Sequence, residues 1–378
     1  MSTCDFIDTF YAGFEYSIAL SLCSFEKKIE TVSLTISIIE PYLSVICILI
    51  NILHFVILTK KSMRSSSINL IMAAVAIFDI LTFLFQFKQI ISHFIHASSP
   101  CLGRFSYWIT LIDKSGFVIK DFSRRCSTWL FLSIAFIRTL IVRNPMNLKY
   151  KQLSNQPTAF YTIFGVFLLS LPSSAIQIFE NNIIEIWQKT ECQPQGELTY
   201  FIDVAEYFMR ENAVLVKVAI IMDALISNII PCFLFPIVTF LLVKELFKTE
   251  KSRKKLTKNS SSNHNDSQKT TKLVFYNTII FFVAEFPLGV NTSITWFFMG
   301  APGIMMIMSH FGNIFSLLLS ANTSTHLVLC LLMSSQYRKT AKMVFSCGFE
   351  LKKSQTTVAS GTNNQQCKNC QAIIVSPV

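Results

Sequence analysis

Seven apolar stretches decide what this chain can become. They cover about residues 34–59, 68–87, 110–142, 158–178, 214–243, 273–298 and 306–333. Each approaches or exceeds the roughly 20 residues that a helix needs to cross about 30 Å of hydrocarbon. Only 15% of the 378 residues are charged and 52% are hydrophobic, whereas soluble domains carry about 25% charged residues. Most of the chain is therefore not in water, and its 35 phenylalanines suit lipid-facing helices. The expected fold is an all-α membrane protein, a bundle of seven transmembrane helices.

Lysine and arginine set the orientation. With the N-terminus outside, the inner segments 60–67, 143–157, 244–272 and 334–378 hold 21 basic and four acidic residues. The outer segments 1–33, 88–106, 179–212 and 299–305 hold six basic and twelve acidic ones. The sequence thus predicts an extracellular segment 1–33, a membrane domain 34–347 and a disordered cytoplasmic tail 348–378. Residues 1–33 carry five acids and only two late lysines, Lys27 and Lys28, unlike a secretory leader, so the first span is expected to serve as the targeting signal. The third inner loop joins a basic run, from Lys251 to Lys258, to a Ser/Asn-rich patch. It reads as a loop between two helix extensions that meets anionic lipid. Past the last span, Tyr337, Ala341, Val344 and Phe345 recur at helical spacing with Arg338, Lys339 and Lys342 between them, which predicts a short amphipathic helix on the inner membrane face.

Charges inside the spans mark the chemistry, because each needs water or a partner there. Asp79 sits near the middle of the second stretch, and Asn51, Ser127 and Asn322 fall at matching depth in the first, third and seventh. Together they form either a structural polar network or a site for a proton or a cation such as sodium. Glu285 stands two residues before Pro287, a proline that removes a backbone hydrogen bond and kinks its helix. Pro231 and Pro236 do the same in the fifth stretch. The outer half of the third stretch carries Lys120, Asp121, Arg124 and Arg125. Either these line a polar pocket open to the outside, or Asp121 pairs with Arg125 one turn on and the lysine snorkels. About 20 Å further along the same helix, Arg138 stands where the helix leaves the membrane.

Four cysteines are expected outside: Cys4, Cys23, Cys101 and Cys192. They allow three disulfide pairings, among them Cys4–Cys23 and Cys101–Cys192. Cys367 and Cys370 make half a zinc site with no second pair, so no metal site is expected, and Cys347 suits lipidation better. No P-loop, nucleophile elbow, zincin or dinucleotide fingerprint is present, so an enzyme is not expected.

In joint order across the seven stretches, these residues resemble a rhodopsin-like G-protein-coupled receptor. More narrowly, the chain resembles the nematode serpentine receptor class W group, similar to FMRFamide-type neuropeptide receptors, over about residues 34–347. Asn51 and Asp79 match the family's polar residues in helices one and two. Ile137-Arg138-Thr139 stands where the family has Asp-Arg-Tyr, with Pro145 seven residues later. Pro231, Phe281 and Pro287 match helices five and six, Asn322 opens the helix-seven motif, and the run from Ser334 to Arg338 looks like the class W ending. Ile137, Glu285 and the run from Asn322 to His326 depart from the broad family. The resemblance implies a multi-pass receptor of the plasma membrane. Its ligand would be an extracellular short peptide held by Lys120, Asp121, Arg124, Arg125 and Glu285. Its intracellular partner would be a heterotrimeric G protein, met through Arg138, Pro145, Asn322 and Tyr337, and a Cys101–Cys192 disulfide would brace the outer face. Membrane lipid is a partner and nucleic acid is not. The competing expectations are a chemosensory receptor for a small molecule and, from a different class, a transporter or channel.

Overall fold

The computed structural model describes residues 6–98, 106–144, 146–189, 195–256, 279, 282–283, 285–298 and 301–346. Among these, six helices are long and apolar enough to cross a membrane. They are α2 (Tyr16–Leu58), α3 (Ser67–Ser98), α4 (Tyr107–Arg143), α6 (Gln156–Glu180), the continuous pair α7 (Glu206–Ala224) and α8 (Ile230–Leu256), and α10 (Pro302–Met333). The expected sixth stretch, 273–298, is described only in part. Residues 285–295 are helical, here α9, and a 3₁₀ turn Trp296–Phe298 follows. Short helices α1 (Ile7–Phe10), α5 (Leu148–Gln152) and α11 (Ser335–Phe345) complete the set. The expected tail 348–378 lies outside the described residues.

Helix α4 is the axis of the bundle, packed against α3, α6 and α8, while α2 packs on α3 and α10. Apolar side chains on the outward faces, such as Leu49, Tyr161, Phe164, Phe233 and Phe240, stay exposed, as lipid-facing residues do. At one end a cluster around Ile57, Met63, Leu130, Ile137, Tyr337 and Ala341 is closed off from solvent. At that end Ser67 Oγ donates to the Leu153 carbonyl at 2.6 Å and Ser62 Oγ meets Thr340 Oγ1 at 3.1 Å, fastening the α2–α3 turn to the α5 turn and to α11. The amphipathic α11 buries Tyr337, Thr340 and Ala341, and Phe345 is exposed. The hydroxyl of Ser334 caps it by accepting from the Tyr337 N–H at 3.1 Å.

Between α7 and α8 the backbone widens into a π turn, Leu225–Ile229. The cause lies two residues on: Pro231 has no N–H to give the carbonyl four residues back, and its ring would strike that carbonyl. Widening the turn relieves both problems and rotates Ser227 and Asn228 inward, where both are buried. Gly289 on α9 fits against this bulge because a Cβ there would lie 2.8 Å from the Cβ of Asn228.

Two features differ from the sequence expectation. Strands β1 (Asn181–Gln188) and β2 (Glu197–Val204) form an antiparallel hairpin between α6 and α7, with Asn181 opposite Val204. It lies over the start of α4, where Thr110 Oγ1 donates to the Tyr200 carbonyl at 3.1 Å and Tyr107 meets Tyr200 edge-on. Secondly, the helix of the first span begins well before residue 34. Helix α2 begins at Tyr16 and runs 43 residues, about 65 Å, roughly twice the hydrocarbon thickness. Its first turns join α1 in a cluster of Ile7, Tyr11, Ala19, Cys23, Ile304 and Ile307 on the start of α10. Burial and the nearby Glu26 carboxylate push the Tyr11 hydroxyl up to about 12. Cys23, buried here, is disulfide-bonded. Further along, Asn313 Nδ2 donates to Ser33 Oγ at 2.9 Å and His310 stands 3.9 Å from Glu26.

Gly303 makes this docking possible, since a Cβ there would lie 2.5 Å from the Tyr11 ring. Gly303→Val should therefore lower stability by about 1–3 kcal/mol through overpacking, read as a drop in melting temperature of the detergent-solubilised protein. Combined with Tyr11→Ala, the two losses should be less than additive.

Candidate functional site

The hairpin-end half of α4 carries its charges on two faces. Lys120 and Arg124, four residues apart, share one face and line a central cavity of about 50 Å³ with Asp79, Gln86, Glu285 and His326. The Lys120 ammonium sits 6.0 Å from the centroid of the Phe85 ring. Arg124 donates to Asn228 Oδ1 at 2.9 Å and stands 4.0 Å from Glu285 Oε2. Thr128 adds a long bond to Glu285 Oε1 at 3.5 Å. The π turn therefore supplies Arg124 with its amide partner, and the residue before the α9 proline supplies its acid.

Arg125 points elsewhere, and here the sequence expectation is corrected. It is 1% exposed, and every bond it makes among the described residues is internal. Nε donates to Ser227 Oγ at 2.9 Å and Nη1 to Ser174 Oγ at 3.0 Å and the Ser170 carbonyl at 3.1 Å. Nη2 reaches Asp223 Oδ1 at 2.6 Å. One residue along a helix turns the side chain about 100°, which carries Arg125 from the cavity to the seam between α6 and α7. It pairs with Asp223 across helices rather than with Asp121 along its own. Asp121 accepts from Gln177 Nε2 at 3.2 Å and does not line the central cavity. Of the five expected ligand contacts, Lys120, Arg124 and Glu285 are brought together; Asp121 and Arg125 are not.

Deeper in the cavity, Ser127 Oγ donates to Asp79 Oδ1 at 2.5 Å, and Asn322 lines the same space. Asp79 Oδ2 is buried without a hydrogen bond among the described residues. Asn51 does not reach this carboxylate through a described bond. Its amide donates to the Cys47 carbonyl at 2.9 Å, and the Cys47 thiol contacts Ser320 and Ser324 on α10. Glu40 joins the set unexpectedly, accepting from Gln86 Nε2 and Ser316 Oγ, each at 2.6 Å. Glu40 and Asp223 are lone acids in apolar stretches, the same signal that singles out Asp79. His326 packs on Phe131 with ring centroids 4.5 Å apart.

At the other end, Arg138 is half-buried, without a hydrogen bond or ion pair among the described residues, and lies within electrostatic range of the Cys330 thiol of α10. Its neighbour Ile137 is buried in the core cluster. Tyr337 is also buried, its hydroxyl 2.7 Å from His54 Nδ1, and burial pushes that hydroxyl upward in pKa. This bond ties α11 to α2. Pro145, Cys4, Cys101, Cys192 and Cys347 lie outside the described residues, and so do both expected disulfide pairings.

Six membrane-length helices around a cavity lined by charged side chains define a multi-pass helical membrane protein. The chain belongs to the serpentine type 7TM GPCR chemoreceptor Srw family, which it matches over residues 38–348. That is a family of receptors, not enzymes. The chain is also 23% identical, over 247 residues, to the G-protein coupled receptor dmsr-1 of Caenorhabditis elegans. The alignment covers 62% of this chain and 47% of that relative, so it spans about half of the relative's length.

The Arg125 pairing makes a separable prediction. Asp223→Asn should lower stability by about 3–5 kcal/mol, because it strands the buried Arg125 guanidinium, and Arg125→Met should cost less, because the Asp223 it strands is partly exposed. Joining Arg125→Met with Asp223→Leu should recover most of that loss, measured as thermal unfolding in detergent.

Proposed function

We propose that the chain is a plasma-membrane receptor that binds an extracellular ligand beneath the hairpin and activates a heterotrimeric G protein at the α11 end. Membership of the serpentine receptor family supports it, as does the basic excess of the predicted inner segments. The observation that carries the reading is the cavity where Lys120, Arg124 and Glu285 meet. Charges of both signs are held there inside a membrane bundle, an expensive arrangement that points to use. In this reading the bundle has seven spans, with α9 the described part of the sixth, and its N-terminus is outside.

The ligand is foremost a short peptide. The expected outer segment 179–212, seven acids against two bases, would steer a cationic one toward the hairpin. A cavity of about 50 Å³ takes a few waters or the tip of one side chain, so the body of a peptide rests above it. The same small volume favours a second reading, a chemosensory receptor for a small molecule. In either case the ligand acts by its differential affinity for two helix arrangements.

At the inner end, Arg138 and the basic loop after α8 form the surface for the G protein, and α11 lies against membrane lipid. Ile137 offers no acid to hold Arg138. Sodium is the proposed occupant beside Asp79, whose free Oδ2, with the Ser127 hydroxyl and the Asn322 amide, presents hard oxygen donors. It would neutralise the carboxylate there. Sodium should then raise the melting temperature above that in potassium at equal ionic strength, and Asp79→Asn should remove the difference.

The coupling test uses cells displaying the receptor, screened against peptide and small-molecule libraries. Arg138→Ala should cut ligand-dependent G-protein activation by about tenfold or more while ligand binding persists, a coupling of about 1.4 kcal/mol. Activation unchanged by Arg138→Ala, at equal surface display, sinks the proposed switch.

A further inference from the structure

A second cavity, of about 100 Å³, lies between α6, α7 and α9 and is separate from the central one. It is lined by Glu180, Gln177, Asp223, Ser173 and Thr292, with apolar residues completing the wall. Its charge is one-sided. The Glu180 carboxylate has no hydrogen bond or ion pair among the described residues. Asp223 directs one oxygen, Oδ1, at both Arg125 Nη2 and Ser227 Oγ, at 2.6 and 2.9 Å. Its Oδ2 makes no described bond.

Gln177 is the informative side chain. It is 9% exposed, and its Nε2 donates to Asp121 Oδ2 at 3.2 Å. A carboxylate can only accept, so the amide cannot turn over without losing that bond. The amide oxygen is thereby fixed away from Asp121, and it is buried with no donor among the described residues. A buried acceptor left unpaired costs about 1–3 kcal/mol, and one on a cavity wall beside two carboxylates asks for a donor from outside.

The charged groups facing this seam are Asp121 and Arg125 from α4, Glu180 from α6 and Asp223 from α7. Asp223 is paired with Arg125, and Asp121 lies within electrostatic range of Arg124, Lys120 and Arg125, so Glu180 is the acid this wall leaves without a cation among the described residues. A dedicated divalent cage takes about six to eight oxygens, more than this wall offers. The deficit is instead that of a donor-rich organic cation.

We infer that the α6–α7–α9 cavity is a subsite for a primary ammonium or guanidinium group, received by Glu180, Asp223 and the Gln177 amide oxygen. The inference rests on the receptor reading for the source of that group, an extracellular ligand. The subsite itself is independent of G-protein coupling. It gives the molecule two separate acceptor regions about α4, reached from neighbouring residues of one helix.

The test uses the full chain in detergent, with N-acetylarginine amide and its uncharged isostere N-acetylcitrulline amide as probes in thermal-shift titrations at millimolar concentration. The arginine compound should raise the melting temperature in a saturable way and the citrulline compound should not. Glu180→Gln removes a carboxylate that makes no described bond, so the unliganded protein should melt normally. Its half-saturation concentration should rise about tenfold, the loss of one charge-assisted contact, and Glu180→Lys should abolish the shift. Equal shifts from both probes, or none from either, would falsify the subsite. A shift retained in Glu180→Gln but lost in Glu285→Gln would move the cation to the central cavity and overturn it too. A protein that shows the shift yet couples to no G protein refutes the coupling and leaves the subsite standing; coupling without the shift does the reverse.

Discussion

The contact between Arg125 and Asp223 is the one on which the rest of this interior depends. A guanidinium taken wholly out of water is tolerated only if nearly every donor is matched. Here the match comes from three other elements: the Ser170 carbonyl and Ser174 on α6, Asp223 on α7, and Ser227 in the π turn. The arginine thereby fixes how α4, α6 and α7 sit around one another. The next residue back, Arg124, is then presented to the central cavity by helical geometry alone. A structural charge and a cavity charge are neighbours in sequence because an α-helix separates consecutive side chains by about 100°.

The proline in α8 plays a complementary part. Pro231 forces the backbone to widen, and the widened turn brings Ser227 to Arg125 and Asn228 to Arg124. Each arginine thus takes a partner from adjacent residues of the same distortion. A regular helix would put those two side chains about 100° apart in the same way, but a proline at 231 cannot be carried by one without loss. The kink is therefore coupled to the electrostatics on α4, and changes in either should be felt in the other.

What could be read from the residues alone follows from the range over which each rule acts. Membrane helices are legible because lipid imposes one local requirement on every residue of a span, which is why 158–178 falls inside α6 and 306–333 inside α10. The Asp79–Ser127 contact and α11 were legible for the same reason, depth and period. The partner of Arg125 was not, because nothing in the helix repeat distinguishes an acid four residues away from one across a seam. Asp223 and Glu40 carry the same signal as Asp79, a lone acid in an apolar run, but that signal names no partner. The N-terminal extension of α2 was hidden by its charges: Glu26, Lys27, Lys28 and Glu30 break the apolar run while leaving helical period intact at Ala19, Cys23 and Glu26. The hairpin was hidden because 181–204 is short, mixed in polarity and interrupted.

Helix α4 connects the two ends by phase as well as by length. Arg124 and Arg138 are 14 residues apart, close to four turns, so they lie about 21 Å apart on nearly the same stripe. Arg125, 13 residues from Arg138, falls on the far side and is held by α6 and α7. Rotation or tilt of α4 about that fixed side would move both stripe residues together, one in the charged cavity and one beside Cys330 with no described partner. The missing acid at position 137 matters in this light. With Ile137 buried in the core cluster, the α11 end of the stripe is restrained by packing rather than by an ion pair along α4. The strongest electrostatic hold on the helix is then at the cavity end, next to the groups a ligand would meet.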